Sequence, residues 1–347
     1  MVVILVSLIL DLTTSISIFS DQKIALAYSL VKPELSKVST NKNISLVSYD
    51  KQVNADTIMP GCNKSTKGSK EIDYPKHDYG RNQNQPHLSS SDRDFVEKGV
   101  WLYADSFISI DPFKLINVLL AKDFNTIYFA GTDTADWQSP EKLELYSNFI
   151  CYAYSKGMDI FAVTLEDPSF AFSDEIHIKN EFGSFVNLTR QFFDTYMIDV
   201  EPHTLRYSDP MVFVPQYIRM SLVLQEISKH LGVTYIDTVP FWYHFVIKNI
   251  GISSGLDILG GDRVNLMDYT FTSKRALENL NGVVSQINKP FSISIKVTPG
   301  YGDPFLSNGE LEKTVKQFQN LSMPYGLFEG QYFFFRDGLV AGDYQTR

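Results

Sequence analysis

Short apolar runs alternate with amphipathic stretches along the chain from Gly99 towards its C-terminal end. Apolar runs of four to eight residues bounded by turn residues are typical of buried strands, whereas longer stretches with a 3.6-residue period indicate helices. This pattern predicts eight strands, at residues 99–104, 125–130, 158–165, 196–201, 233–241, 263–269, 291–298 and 326–335.

Capping residues mark the helices between these strands. Asp111 followed by Pro112 is typical of a helix start, as is Ser139 followed by Pro140. Gly157 and Gly232 are typical of helix ends. The predicted helices span residues 111–122, 140–156, a part of 174–192, 209–231, 242–250, 273–288 and 308–321.

The order of the predicted elements determines the fold class. Strands that recur about 25–40 residues apart with helices between them predict an α/β fold, a (β/α)8 TIM barrel rather than an open doubly wound sheet. No glycine-rich phosphate fingerprint follows the first strand, which argues against a dinucleotide site. The chain ends at Arg347, too soon for a full eighth helix, so either the preceding arm covers that gap or the barrel is thinner there.

The region before the barrel divides into two parts. Residues 1–27 are predicted to be a signal peptide, because a short apolar run precedes the small-residue pattern Ala25-Leu26-Ala27. The missing basic residues before that run, and Asp11 after it, argue against this prediction. Residues 28–97 are predicted to be a polar linker or arm, and residues 98–347 the barrel domain. We therefore expect a secreted or cell-surface protein without a transmembrane anchor.

Composition restricts the partners. The net charge of −9 and the pI near 5.2 argue against a nucleic-acid surface, which requires a basic footprint. A hydrophobic content of 44% in 347 residues is enough for a sizeable core. The two cysteines, Cys62 and Cys151, allow one disulfide but do not require it.

The fourth predicted strand ends in two acids, Asp199 and Glu201. Side chains alternate along a strand, so both should point the same way, roughly 6–7 Å apart. Burying two acids is costly unless they are paired, hydrogen-bonded or used. The alternative to a chemical role is an ion pair with Lys296 or Arg263.

Other polar and aromatic residues lie at or near the strand ends, where a barrel of this kind has its active site. Carboxylates with Trp and Tyr around one mouth are typical of a sugar site. The predicted substrate-binding residues are Trp101, Glu166, His203, Asp237, Trp242 and Asp268. The alternatives are that the tryptophans fill the barrel, and that His203 is a loop residue bonded to backbone or a metal ligand beside the two acids.

Two motifs carry a family resemblance. Asp199-Val200-Glu201 on the fourth strand, together with Met267-Asp268-Tyr269 on the sixth, resembles the chitinase-type (family 18) glycoside hydrolases. The resemblance implies that Glu201 is the general acid. It also implies that Asp199 is its hydrogen-bonded partner, which steadies a substrate N-acetyl group, and that Tyr269 donates to the same group. The sequence departs from the family at Met197, where the family pattern has an inner Asp.

Three functions follow from these residues. The first is a glycoside hydrolase-like enzyme that cleaves a polysaccharide or glycan by carboxylate acid/base catalysis, with no cofactor and no metal. The second is a non-catalytic barrel that binds carbohydrate or cell-wall polymer, which Met197 favours. The third is a metal-dependent hydrolase or deacetylase that uses Asp199, Glu201 and His203.

Overall fold

The computed structural model of the chain describes residues 97–104, 111–206, 209–297, 306–321 and 323–328. The predicted signal peptide, the predicted linker up to residue 96 and the second half of the predicted eighth strand lie outside the described residues. No helix among the described residues is long and apolar enough to cross a membrane.

Eight parallel strands form a closed barrel in which each strand pairs with its neighbours in sequence and the last returns to the first. This arrangement confirms the predicted (β/α)8 TIM barrel. The strands are β1 (Lys98–Tyr103), β2 (Thr126–Ala130), β3 (Asp159–Thr164), β4 (Thr195–Ile198), β5 (Thr234–Pro240), β6 (Arg263–Met267), β7 (Phe291–Lys296) and β8 (Tyr325–Phe328).

Helices connect the strands and cover the outside of the barrel. They are α1 (Pro112–Ala121), α2 (Thr134–Gln138), α3 (Pro140–Ser155), α4 (Glu175–Thr189), α5 (Pro210–Leu231), α6 (Tyr243–Asn249), α7 (Ser273–Val284) and α8 (Asn308–Asn320). The Asp111 carboxylate accepts hydrogen bonds from the first backbone N–H groups of α1, and Gly232 ends α5 with a φ of 70°, as predicted. Ser139 precedes α3, but its side chain makes no capping hydrogen bond. The short helix α2 was not predicted, because five residues are too few to show a period.

Alternating residues on each strand separate the barrel interior from the layer beneath the helices. An interior cluster contains Trp101, Tyr128, Val163, Met197 and Ile236. Two interior glycines, at positions 99 and 326, make room for the Tyr128 ring, since a Cβ at either position would overlap it. The large cluster that packs against the helices contains the intervening residues of the same strands.

Polar residues tie the interior together below the mouth of the barrel. At the amino-terminal end of the strands, Arg263 Nη2 lies 2.7 Å from Glu97 Oε2, and both side chains are buried. Higher up, Trp101 Nε1 donates to Ser294 Oγ at 3.0 Å, and Ser294 Oγ donates to Asn265 Oδ1 at 2.8 Å. The described interior is therefore filled with side chains, and hydrogen bonds and one ion pair connect the strands across it.

Several strands are shorter than predicted at their carboxyl ends. β4 ends at Ile198 and β6 at Met267, so that Asp199, Glu201 and Tyr269 lie just after strands rather than within them. This is the edge of the barrel where loop residues converge in enzymes of this fold.

Candidate active site

Asp199 and Glu201 lie together at the mouth, after β4. Asp199 continues the interior register of Met197, which is fully buried in the barrel. Asp199 is 7% exposed, and its Oδ1 atom has no hydrogen-bond partner. The Glu201 side chain is 27% exposed. One acid is thus buried in the floor of the mouth and the other faces its opening.

Burial raises the pKa of Asp199 well above its ordinary value, and the charges of Glu201 and Glu166 raise it further. Two interacting carboxylates titrate as a coupled pair. Burial and the neighbouring charges favour the neutral form of Asp199, while Glu201 is the more accessible carboxylate.

Glu166 supplies the third carboxylate of the mouth. Its Oε1 atom accepts a hydrogen bond from the backbone N–H of Gly131 at 2.8 Å, which links the ends of β2 and β3. Leu165, directly before it, has a φ of 57°. A left-handed conformation is costly for a residue with a branched side chain and often marks a functional site. This backbone turn directs Glu166 away from the regular strand and towards the acids.

Aromatic rings and a cation line the opposite side of the mouth. The rings of Tyr269 and Phe328 lie 5.2 Å apart at 32°. The ammonium group of Lys296, a residue that is 2% exposed, lies 5.6 Å from the Tyr269 ring and 5.5 Å from the Phe328 ring. Phe328 was not predicted as a site residue, because the predicted eighth strand continued past it to residue 335.

A third group, next to Glu201, is built from the 3-10 turn Pro202–Thr204 and the start of α6. His203 Nε2 lies 3.9 Å from Glu201 Oε1, and His203 Nδ1 lies 3.5 Å from the Tyr243 hydroxyl. The Trp242 ring meets the His203 ring edge-on at 5.8 Å. His203 and Trp242 are therefore at the mouth, as predicted. Tyr243 gave no signal in the sequence, since it lies in an ordinary apolar helical pattern.

Trp101 does not lie at the mouth. It is fully buried within the barrel, its indole nitrogen is bonded to Ser294, and its ring packs against Tyr128 and Phe328. A ring enclosed in this way cannot stack on a sugar. Trp101 therefore fills the barrel, which was the alternative given for the tryptophans in the sequence.

Asp237 faces away from the mouth, contrary to the predicted substrate-binding role. It follows the interior residue Ile236, so strand alternation turns it towards α5. There it accepts hydrogen bonds from Ser221 Oγ at 2.8 Å, Gly261 N at 2.8 Å and the Tyr217 hydroxyl at 3.2 Å. Burial raises the pKa of Asp237, and the hydrogen bonds from the Tyr235 hydroxyl, the Ser221 hydroxyl and the Gly261 N–H oppose the effect. Asp237 is a structural link between the barrel and the helix layer.

Asp268 also faces the helix layer rather than the mouth. It follows the interior residue Met267 and accepts a hydrogen bond from Asn279 Nδ2 on α7 at 2.8 Å. Its other carboxylate oxygen, Oδ2, is buried without a hydrogen-bond partner. Burial raises the pKa of Asp268 to about 7, and the bond from Asn279 opposes that effect. The contacts of Asp268 therefore link β6 to α7.

The described residues contain no group of three or more His, Cys, Asp and Glu side chains arranged to hold a metal ion. Asp199, Glu201 and His203, the ligand set of the metal-dependent alternative, do not converge in this way. The carboxylates and the imidazole at the mouth can support proton transfer.

Comparison with known proteins finds similar solved structures but no related sequence. No family model matches the sequence, and no curated protein matches it. A GH18 chitinase from Pseudoalteromonas aurantia is similar at 10% identity and a TM-score of 0.47, covering 67% of this chain and 92% of the chitinase. A chitinase catalytic domain from Pyrococcus furiosus is similar at 11% identity and a TM-score of 0.44, covering 67% and 83%.

Barrels with other activities are similar to the same degree. A beta-galactosidase from Marinomonas ef1 has 8% identity and a TM-score of 0.48, covering 67% of this chain and 53% of that chain. Chitinases are thus among the structures to which this chain is similar. These values carry no information on activity or substrate, so the function has to be inferred from the site.

Proposed function

We propose that this protein is a glycoside hydrolase-like enzyme that cleaves a glycosidic bond in a polysaccharide or glycan. The observation that carries the proposal is the pair Asp199 and Glu201 at the carboxyl end of β4. One acid is buried and has a raised pKa, and the other is accessible beside it. Glycosidic cleavage requires an acid that is protonated near neutral pH next to a second carboxylate.

Each acid has a distinct role in this proposal. Glu201 is the residue that reaches the leaving oxygen, because its side chain faces the opening whereas that of Asp199 lies in the floor. Asp199 holds the shared proton at rest and passes it to Glu201 when substrate excludes water. Tyr269 and Trp242 flank the sugar. Glu166, whose charge acts on Asp199, is the candidate second carboxylate for attack on the sugar or activation of water.

The test is the Glu201→Gln variant. Loss of the general acid is expected to lower kcat on a cleaved glycan by about 10²–10⁴-fold. Reducing ends released from a panel of polysaccharides and glycans measure the activity. Glu181→Gln, which changes an exposed acid on α4, is the matched control and should retain wild-type activity. Wild-type hydrolysis by Glu201→Gln would refute the assignment.

A second candidate function is a barrel that binds carbohydrate without cleaving it. Met197 favours it, because this fully buried methionine occupies the position of the inner acid in the chitinase-type pattern. A glycan array followed by product analysis distinguishes the two candidate functions. Binding of a glycan that remains intact after prolonged incubation would support the second candidate.

We also propose that the protein is exported. Cys151 on α3 is disulfide-bonded, and disulfides persist in oxidising compartments outside the cytosol. Cys62 and the predicted signal peptide lie outside the described residues. Mass spectrometry of protein recovered from the culture medium would reveal the mature N-terminus. Retention of the entire product inside the cell would count against export.

A further inference from the structure

His244 on α6 is a buried histidine that lies outside the mouth. The residue is 1% exposed, and its ring contacts the 3-10 turn Gly255–Ile258 and the segment that follows α7. The residue before it, Tyr243, contacts His203 at the mouth, and Trp242 directly precedes the helix. His244 therefore lies on the short helix whose first turn supplies two aromatic side chains of the mouth.

Gln286 determines which nitrogen of His244 carries the proton. Gln286 Nε2 donates to Gly282 O at 2.6 Å, so its Oε1 atom is the one that faces α6. That oxygen accepts from Lys248 Nζ at 2.6 Å and lies 3.3 Å from His244 Nε2. An amide oxygen can only accept a hydrogen bond. The neutral ring of His244 therefore has its proton on Nε2 and a lone pair on Nδ1.

The pocket around Nδ1 has no acceptor for a second proton. Nδ1 of His244 is buried without a hydrogen-bond partner. Gly255 packs against this side of the ring with a φ of 57°, and a Cβ at that position would lie 2.6 Å from Nδ1. Protonation would place a charged N–H group there, and a buried donor without an acceptor is costly. The pocket therefore fits the neutral imidazole and disfavours the imidazolium.

Two charged groups act on the ring with opposite signs. Burial lowers the pKa of His244, and the charge of Lys248, on the same helix, lowers it further. The hydrogen bond to Gln286 and the charge of Asp257, on the 3-10 turn, oppose this effect. The Asp257 carboxylate accepts from the backbone N–H of Asn288 at 3.0 Å and from its side-chain amide at 2.6 Å. The acid on the neighbouring turn is therefore bonded to other donors.

We propose that His244 is a pH-sensitive switch for the position of α6. The neutral ring joins α6 to Gln286 and packs against Gly255. When Nδ1 takes a proton from water, the new N–H group has no acceptor, and the ring leaves the pocket for solvent. The helix moves with the ring, and Trp242 and Tyr243 leave their places beside His203. This inference concerns the position of α6 and does not rest on the proposed function.

The first test is the pH dependence of stability in the full-length protein. Because the unfolded chain binds the His244 proton more tightly than the folded chain, the free energy of unfolding should fall as pH falls below about 6.5. Asp268 acts with the opposite sign, so the measured quantity is the difference between a variant and the wild type. Urea unfolding at pH 7.5 and pH 5 gives that difference.

His244→Gln is the variant for this test, because glutamine keeps a polar side chain that does not titrate. Its urea midpoint should change less than that of the wild type between the two pH values. His230→Gln, on an exposed histidine at the end of α5, is the control and should follow the wild type. The same pH-dependent change in His244→Gln as in the wild type would overturn the inference.

NMR titration of the wild type tests the same point without a variant. The His244 ring should titrate at a lower pH in the folded protein than in the urea-unfolded chain. A folded midpoint equal to or above the unfolded one would overturn the inference, even if His244→Gln did not fold.

Tryptophan emission tests the movement of α6. The chain has three tryptophans, of which Trp101 and Trp137 are buried, so Trp242 is the one that reports on the mouth. Emission of the wild type should shift to longer wavelength over the pH range in which His244 titrates. The shift should be absent from His244→Gln and from Trp242→Phe. Constant wild-type emission across that range would overturn the movement of α6.

Discussion

At the level of single residues, strand alternation separates two kinds of buried acid. Asp199 continues the interior face of β4 and has a buried carboxylate oxygen, Oδ1, without a hydrogen-bond partner. Asp237 and Asp268 lie one residue out of that register and bond to the helix layer instead. Burial raises the pKa of all three acids, so a raised pKa alone does not distinguish a site residue from a structural one.

Asp268 should make stability depend on pH. Its pKa is about 7 in the folded chain and near 3.8 when exposed, so the folded state binds the proton more tightly. The free energy of unfolding should therefore fall as pH rises from about 4 to about 7, by on the order of 4 kcal/mol at most. Asp268→Asn should remove this component. Urea unfolding of both proteins between pH 4.5 and 8 measures the difference.

The control for this prediction is Glu181→Gln, which changes an exposed acid. Its unfolding curves should follow those of the wild type at every pH. If Asp268→Asn showed the same pH dependence as the wild type, the proton that stabilises the folded state would have to lie elsewhere.

The sequence predicted the positions of Asp199, Glu201, His203 and Trp242 at the mouth, because all four follow strands. For Asp237 and Asp268 the prediction assumed that an acid near a strand end faces the opening, whereas both side chains are bonded to the helix layer. For Asp237 the preceding residue shows why: Ile236 belongs to the interior cluster, so the next residue faces outwards. Tyr243 and Phe328 required the three-dimensional arrangement.

At the level of elements, backbone conformation at the ends of helices and strands positions the loops. α1 ends at Ala121 and is capped by Lys122, and Asp123 after the cap adopts a φ of 62°, the left-handed conformation usual for glycine at this position. Leu165 adopts a similar φ of 57° beside the mouth. The left-handed conformation at Asp123 follows the end of a helix, whereas that at Leu165 directly precedes Glu166, a carboxylate of the mouth.

Replacing Asp123 with Gly should therefore stabilise the protein. Glycine adopts a left-handed conformation without steric cost, and the Asp123 side chain is exposed. We expect the free energy of unfolding to rise by about 0.5–1 kcal/mol. Ala121→Gly, at the last residue of the same helix, should lower it by about 1 kcal/mol. Thermal and urea unfolding distinguish these opposite signs, and destabilisation by both variants would contradict the prediction.

Element boundaries were predicted less well than element types. Each of the eight predicted strands is present, but β4 ends three residues before its predicted end and β6 ends two residues before its predicted end. In both strands, apolar and acidic residues continue past the last residue that pairs with a neighbouring strand. The residue types alone therefore could not show where the strand ends. The additional helix α2 depends on a capping box between Asp133 and Asp136, a local hydrogen-bond arrangement rather than a period.

At the level of the whole molecule, the barrel is closed from below by a buried ion pair. Glu97 precedes β1 and Arg263 begins β6, so their contact spans the interior. The Tyr128 hydroxyl also donates to Glu97, at 2.5 Å. The repeated strand and helix pattern predicted the barrel. It did not predict the ion pair between Glu97 and Arg263, because residues 166 apart in the chain meet only once the barrel has closed.

Removing one partner of this pair should be strongly destabilising. Arg263→Met leaves Glu97 buried without its counter-charge, and we expect a loss of about 3–5 kcal/mol in the free energy of unfolding. The double variant Glu97→Gln/Arg263→Met should recover part of that loss, since no uncompensated charge remains. Arg275→Met, at an exposed position on α7, should behave like the wild type in urea. A wild-type midpoint for Arg263→Met would contradict a role in closing the barrel.

Because Asp237 and Asp268 face the helix layer, saturation mutagenesis should separate them from the two acids at the mouth. Substitutions at the two outward acids should reduce the amount of folded protein in cells, and lower activity only in proportion to that abundance. Substitutions at Asp199 and Glu201 should leave abundance near normal while abolishing turnover. Plotting abundance against activity for every variant would therefore separate positions that stabilise the fold from positions to which the proposed function assigns catalysis.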